Sequence, residues 1–276
     1  MNTVIVYFSG TGNTKIIAKE IQKGLKLSGS KTSLIDITSY NSRKKKIDLV
    51  KFDLLVFGFP VYASTIPLIC IDWLKTLKGQ NKPAAMFFTY GGPTMGVAHF
   101  HTKDLLNEQD FLVIGTAEFP CKHSFNLAKG FEFLKDRPNK TDLKQAQEYG
   151  VGLENKFSLG KLNEIIIPFI KPENYNAIVE RINIRKKRTT ESPPSRYSKD
   201  CSMCRTCEKS CPTAAFNADT GVANGEKCIA CMRCVTFCPD NVIEYRRDMS
   251  GIFQRLKDHY NLTEERMKSL GVRYAL

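Results

Sequence analysis

Two short stretches concentrate the residues able to do chemistry. "CSMCRTCEKSCP" (Cys201–Pro212) places four cysteines in eleven residues and closes them with a proline, and "CIACMRCVTFCP" (Cys228–Pro239) repeats the arrangement. Together they hold eight of the ten cysteines; Cys70 and Cys121 are left over. Each run reads C-x2-C-x2-C-x3-C-P, and the pairs 201/228, 204/231, 207/234 and 211/238 share an offset of 27 residues. A constant period across four positions marks a duplicated supersecondary unit. Three thiolates at two-residue gaps can wrap one face of a cubane cluster within a tight loop. The fourth, followed by proline, begins a short helix that points away from that cluster. Structural zinc sites prefer C-x-x-C pairs separated by a long gap, and disulfides between cysteines so close would be strained and need an oxidising compartment. The duplication, the prolines and the count of eight agree better with iron–sulfur ligation.

A second chemistry lies at the other end of the chain. "VYFSGTGNTK" places Ser9, Gly10, Thr11, Gly12, Asn13 and Thr14 between an apolar β-branched run and an amphipathic helix. Backbone N–H groups converge there and the helix N-terminus is partly positive, which suits a phosphate. Two glycines allow close backbone approach, and four polar side chains can donate. Capping of the helix needs only one hydroxyl, and this loop offers three beside an asparagine. The run is Gly-x-Gly-x-x-Lys, so it lacks the third glycine of a dinucleotide loop, and the triphosphate-loop pattern is missing too.

The cysteine runs resemble those of bacterial two-[4Fe–4S] ferredoxins over about residues 197–246. In that family the fourth cysteine ligates the other cluster. The resemblance therefore implies Cys201, Cys204, Cys207 and Cys238 for one cluster and Cys228, Cys231, Cys234 and Cys211 for the other. The first loop resembles the FMN phosphate loop of the flavodoxin family, whose signature matches at Ile5, Val6, Tyr7, Ser9, Gly12 and Thr14. This resemblance covers roughly residues 3–160 and implies that Ser9, Gly10, Thr11, Gly12, Asn13 and Thr14 hold the FMN phosphate. It also assigns Pro60, Val61, Tyr62, Ala63 and Ser64, after the third strand, to the isoalloxazine edge and face. Thr89, Tyr90, Gly91 and Gly92, after the fourth, would meet the ring's polar side.

The elements that must position these loops follow from the hydrophobic pattern. Thr3–Phe8, "KTSLIDI", Asp53–Phe59, Pro83–Tyr90 and Phe111–Phe119 read as strands, with helix-like segments near 66–78, 94–107 and 141–158. The alternation predicts an α/β fold with a doubly wound parallel sheet of five strands. The resemblances imply that this sheet is flavodoxin-like, in order 2-1-3-4-5, and that a small α+β two-cluster ferredoxin domain accompanies it. The expected organisation is a flavodoxin-like FMN domain over 1–160, a basic linker and packing segment over 161–196, the ferredoxin domain over 197–248 and a C-terminal helical tail over 249–276. Within the linker, Arg185–Arg188 are four consecutive positive charges. The segment Pro120–Asn139 is long for a loop and leaves the end of the fifth strand, where it would cover a flavin, with Cys121 and His123 at its start. Cys70 and Trp73 read as packing. His99 and His101, two apart on a helix, face different ways and so do not read as one metal site.

Hydrophobic content of 42% and charged content of 25% are ordinary for a folded globular chain. The net charge of +13 reads first as solvated Lys and Arg on a soluble surface and, as the sharper alternative, as a match for redox partners with acidic surfaces; without a binding module it does not read as nucleic-acid recognition. The longest uncharged run, Leu54–Ile71, is broken by Gly58, Pro60 and Pro67, so no membrane span is expected. The N-terminus lacks the features of a signal peptide, and a cytoplasmic location is expected, where clustered thiols stay reduced. No Ser-His-Asp set, carboxylate pair or zinc-protease motif is present. An electron-transfer protein coupling FMN to two [4Fe–4S] clusters is the first reading. The alternatives are an FMN-dependent reductase fed through the ferredoxin domain and a cluster-based redox sensor.

Overall fold

The computed structural model describes residues 1–185 and 190–276; of the basic run, Lys186–Arg188 therefore lie outside the described residues. The five apolar runs form parallel strands β1 (Asn2–Tyr7), β2 (Lys31–Asp36), β3 (Leu54–Pro60), β4 (Lys82–Tyr90) and β5 (Phe111–Pro120), in the order β2-β1-β3-β4-β5. Helices α1 (Asn13–Leu27), α2 (Leu68–Leu74), α3 (Ala98–Asn107) and α4 (Lys140–Ser158) follow strands β1, β3, β4 and β5. This is a doubly wound α/β sheet, and crossovers between parallel strands place its helices on both faces.

Because successive strand residues point to opposite faces, β1 divides its side chains between two cores. Ile5 and Tyr7 face α1 and α4, together with Leu54, Val56 and Phe87. Val4, Val6 and Phe8 face α2 and α3, together with Leu55, Phe57 and Phe88. Trp73 and Cys70 belong to this second core, Trp73 edge-on to Phe57 at 6.3 Å. Helices α1 and α4 touch backbone to backbone. A Cβ on Gly24 would stand 2.0 Å from the Gln147 carbonyl oxygen, and one on Gly150 2.3 Å from that of Ile21.

The duplication is visible in the second sheet. Strands β6 (Ser195–Arg196), β7 (Phe216–Asn217), β8 (Val222–Ala223) and β9 (Ile243–Glu244) pair in the order β7-β8-β6-β9. Helices α6 (Thr206–Lys209) and α7 (Arg233–Thr236) carry the third cysteine of each run. The starts of β6 and β8, α6 and α7, and β7 and β9 are each 27 residues apart, so one strand–loop–helix–strand unit occurs twice. Preceding it, α5 (Tyr175–Arg185) sends Ile182 into the core beneath α2 and α3.

The tail, read as helical, holds α8 (Ser250–Tyr260) and α9 (Glu264–Ser269) and then a strand, β10 (Arg273–Ala275). β10 adds antiparallel to β5 as a sixth strand, Arg273 opposite Glu118. Three residues carry too little periodicity to announce a strand; the pairing depends on the free edge of β5. A further core joins Phe125, Phe131 and Phe133 to Met232, Tyr245, Met249 and Phe253 of α8. The segment after β5 thus has a structural role: its aromatic rings bind the ferredoxin unit and the tail to the larger sheet, each buried phenylalanine contributing about 2 kcal/mol. Among the described residues no helix is long and apolar enough to cross a membrane.

Candidate functional site: a cleft beside two cysteine groups

At the C-terminal ends of β1, β3 and β4 three loops enclose a cleft. In the first, the Ser9 N–H donates to Thr38 Oγ1 at 2.9 Å and Ser9 Oγ accepts from the Lys15 N–H at 3.1 Å. Gly12 caps α1 in the left-handed conformation, φ 104°, which favours glycine. Among the described residues, the N–H groups of Gly10 through Thr14 have no hydrogen-bond partner. Unpaired N–H groups at the start of a fifteen-residue helix, with no acidic side chain in its first turn, suit a phosphate. Two side chains of the loop are tied to its neighbours: Asn13 donates to the Lys122 carbonyl at 2.8 Å, and Thr14 Oγ1 lies 2.8 Å from Thr89 Oγ1.

The second loop brings Pro60, Val61, Tyr62 and Ala63 to the cleft. It is a tight turn closed by the Tyr62–Thr65 bridge, with Ala63 and Ser64 at positive φ. The Tyr62 hydroxyl reaches so close to Gly10 that a Cβ there would stand 2.5 Å away. Thr89, Tyr90 and Gly91 supply the third wall. Gly12, Ser64 and Gly92 are not among the lining residues: Gly12 shapes the first loop from behind, and the Ser64 carbonyl accepts from the Val97 N–H at 2.8 Å, facing α3. Burial pushes the phenols of Tyr62 and Tyr90 upward, so both are protonated and able to donate.

Seven lining residues lie outside the three expected loops. Cys121 to Phe125 come from the segment after β5, and Ile229 and Ala230 come from between the first two cysteines of the second run. Burial holds the His123 imidazole down at about 4, so it is neutral, and its Nδ1 accepts from the Phe125 N–H at 2.9 Å. Burial raises the Cys121 thiol far above its ordinary value, so it is not a thiolate. His99 and His101 have separate partners, Glu118 with Thr116 and Thr65 respectively. Nothing in "CIAC" marks Ile229 and Ala230 as cleft residues; only docking of the two halves of the chain does.

The eight cysteines fall into two groups that cross the two runs. Cys201, Cys204, Cys207 and Cys238 line one small cavity under Phe216 and Ile243, with Cys204 at the surface. Burial raises the thiols of Cys228, Cys231 and Cys234, and Cys211 lies close enough to all three to add to that rise. Among the described residues, no three His, Cys, Asp or Glu side chains are arranged to hold a single metal ion. The loops themselves have an unusual backbone. Met203, Arg205 and Ala214 have positive φ, and so do Ala230, Met232 and Asn241, each 27 residues later. Such non-glycine conformations are sparsely populated, and alternating handedness turns successive N–H groups into one concavity. Ala215 and Ala230 donate N–H bonds to Cys211 Sγ and Cys228 Sγ, at 3.2 and 3.4 Å. A loop pair with inward N–H groups and four thiols around each hollow fits a polyanionic cluster with thiolate ligands.

The second group sits against the first loop of the cleft. A Cβ on Gly10 would come within 3.1 Å of the Cys231 carbonyl oxygen. Arg233 binds across the junction, donating to the carbonyls of Ser9 at 3.0 Å, Gly10 at 3.3 Å and Ser210 at 3.0 Å. Arg43 does the same from the other side, donating to Thr38 at 2.8 Å and to the Pro212 carbonyl. The Tyr40 N–H donates to the Cys211 carbonyl at 3.3 Å.

A doubly wound sheet with an anion loop, fused to a duplicated cysteine unit, defines a class of redox protein with two kinds of centre. Comparison with known proteins makes the class specific. A family model described as a flavodoxin domain matches residues 4–113, and one described as a 4Fe-4S dicluster domain matches residues 194–239. The chain therefore joins a flavodoxin domain to a 4Fe-4S dicluster domain. Over 48 residues it is 44% identical to a subunit of the ion-translocating oxidoreductase complex of Methanosarcina acetivorans, covering 17% of this chain and 18% of that one. The chain thus spans less than a fifth of that relative's length. Similar solved structures include a flavodoxin from the domain Archaea, at 19% identity and TM-score 0.43 over 57% of this chain and 99% of that one. Oxidised Flavodoxin 2 from Bacillus cereus is similar at 18% identity and TM-score 0.44, over 57% and 100%.

Proposed function

We propose that this chain carries electrons between partner proteins through FMN in the cleft and two [4Fe–4S] clusters. The outer cluster would be held by Cys201, Cys204, Cys207 and Cys238, and the inner by Cys228, Cys231, Cys234 and Cys211. The observation that carries this reading is that Ile229 and Ala230, between two inner ligands, form a wall of the cleft. Electron transfer weakens steeply with separation, so an inner centre against the flavin and an outer one beneath exposed Cys204 make a directed path. When bound, FMN exchanges one or two electrons and each cluster one, so the assembly joins two-electron to one-electron carriers.

The residues of this chain set the terms of that exchange. Unpaired N–H groups from Gly10 to Thr14 hold the phosphate without a competing acid. Protonated Tyr62 and Tyr90 add no anion to the cleft, and neutral His123 adds no cation. Only Cys121 to Phe125 of the segment after β5 reach the cleft, while Phe131 and Phe133 turn away into their own core, which favours a carrier over a reductase with a closed substrate pocket. The chain's net charge of +13 suits acidic redox partners, and a reducing compartment keeps the eight thiols available.

Anaerobic purification followed by flavin, iron and sulfide quantitation tests the reading. One FMN with about eight iron and eight sulfide per chain is expected from two cubanes. Flavin-free protein, or about four iron, overturns the proposed coupling. Steady turnover of a small organic acceptor by cluster-reduced protein would favour the reductase instead.

A further inference from the structure

Behind Tyr90, on the side away from the Cys231 loop, lies a second cavity of about 370 Å³. It opens between the start of α3, the end of β5, residues Phe169 and Ile170, and the turn leading into β10. Tyr90 lines both cavities, so an occupant here is one side chain from the flavin cleft.

Its polar floor is a set of three linked side chains. Glu118 is only 1% exposed, and its two oxygens take N–H groups from Arg273 Nε at 2.6 Å and His99 Nε2 at 2.7 Å. His99 Nδ1 lies 2.7 Å from Thr116 Oγ1. The three contacts are met with Glu118 accepting twice and His99, held neutral by burial, donating from Nε2 and accepting the Thr116 hydroxyl at Nδ1. Glu118 is therefore saturated and its charge is matched by Arg273, which leaves no free carboxylate to attract a cation.

The opposite edge of Arg273 is uncommitted. Among the described residues, Nη1 and Nη2 have no hydrogen-bond partner, while the guanidinium stacks 4.8 Å from the centre of the Phe169 ring. Met95, Phe100 and Leu270 add apolar surface, while Thr94 and Ser269 keep part of the lining polar. A planar fork of donors over an aromatic wall matches a carboxylate attached to a flat apolar body. The volume lies within the range of small-molecule sites.

We propose that this cavity binds a small organic carboxylate, its carboxylate on Arg273 Nη1 and Nη2 and its apolar body between Phe100 and Phe169. The site does not depend on the flavin or the clusters being loaded as proposed above.

Sodium benzoate is the probe, titrated into the full-length protein by calorimetry and followed by ligand-observed NMR. Saturable binding at one site per chain is expected. Benzamide, which keeps the ring and loses the charge, should bind at least about tenfold more weakly. Arg273→Gln should weaken benzoate to a similar degree. Because that change also removes a partner of Glu118, Leu270→Trp supplies an independent variant that fills the cavity and leaves the three linked side chains intact. With thermal melts showing both variants folded, loss of benzoate binding in each supports the site. Absence of saturable binding to the unaltered protein, equal affinity for benzamide, or unchanged affinity in the Leu270→Trp variant overturns it.

Discussion

Arg205 and Arg233 each stand beside a cysteine, and from the sequence alone each would favour the reduced, more negative cluster. The structure separates them. Arg205 is paired with Asp219 at 2.9 Å and Glu208 at 3.0 Å, so its charge is largely compensated. Among the described residues Arg233 contacts carbonyl oxygens and the Phe237 ring, at 4.7 Å, with no carboxylate beside it, next to the inner group. Arg233→Gln is therefore expected to lower one cluster midpoint potential by about 50–100 mV in voltammetry, from roughly 1–2 kcal/mol of lost charge stabilisation. Arg205→Gln should leave both nearly unchanged; equal shifts in the two variants would contradict the assignment.

His123 carries a prediction in pH. Its folded pKa of about 4 lies below the ordinary value near 6.5, so between these the unfolded chain binds the extra proton. Stability therefore rises with pH across that window; the contribution is complete above about pH 6.5 and is lost as pH falls toward 4. The neutral imidazole makes the protein about 3 kcal/mol less stable at pH 4 than at pH 7 by this term, an upper figure. His123→Gln should flatten the dependence of melting temperature on pH over this range, and an unaltered slope would exclude the buried neutral state.

At the scale of elements, the contact between α1 and α4 has no room for a methyl group. Gly24→Ala would place Cβ 2.0 Å from a backbone oxygen, which no rotamer change relieves. A loss of about 1–3 kcal/mol is expected in denaturant unfolding. Gly92→Ala, with nothing within 4 Å of the added carbon, should be nearly neutral and serves as the control. The two 27-residue units make a second prediction. If Cys211 belongs with the second run, the double change Cys211→Ala and Cys228→Ala removes one cluster and leaves about four iron per chain. Cys201→Ala with Cys211→Ala strikes both and leaves almost none. The reverse outcome would mean that each run holds its own cluster.

For the whole molecule, the issue is how the two halves are held and whom they meet. Arg43, Arg233 and the aromatic core around Phe131 and Phe133 fix the inner cysteine group against the anion loop. If the chain exchanges electrons as proposed, with the internal path fixed, the encounter with an acidic carrier governs exchange. Its second-order rate should fall steeply as ionic strength rises from about 10 to 300 mM, because surface charges separated by more than a Debye length are screened. A rate independent of salt in stopped-flow experiments would remove the role given to the charge of +13.

The amino-acid sequence by itself determined what depends on local spacing. The hydrophobic periods placed five strands and their helices, since a buried parallel strand needs an apolar run and a crossover needs a helix; their order followed from the flavodoxin resemblance. The constant 27-residue offset determined the duplicated unit, because thiol spacing and turn chemistry act within a few bonds of each cysteine. Only the tertiary structure decided what depends on contacts between distant segments. "FEF" at 131–133 reads as loop residues but forms a core, because its partners lie over a hundred residues away in α8. β10 exists because β5 presents a free edge, and Ile229 enters the cleft because Arg43 and Arg233 dock one half on the other. Hydrophobic burial and carbonyl hydrogen bonds are indifferent to sequence separation, so these placements leave no periodic trace in the chain.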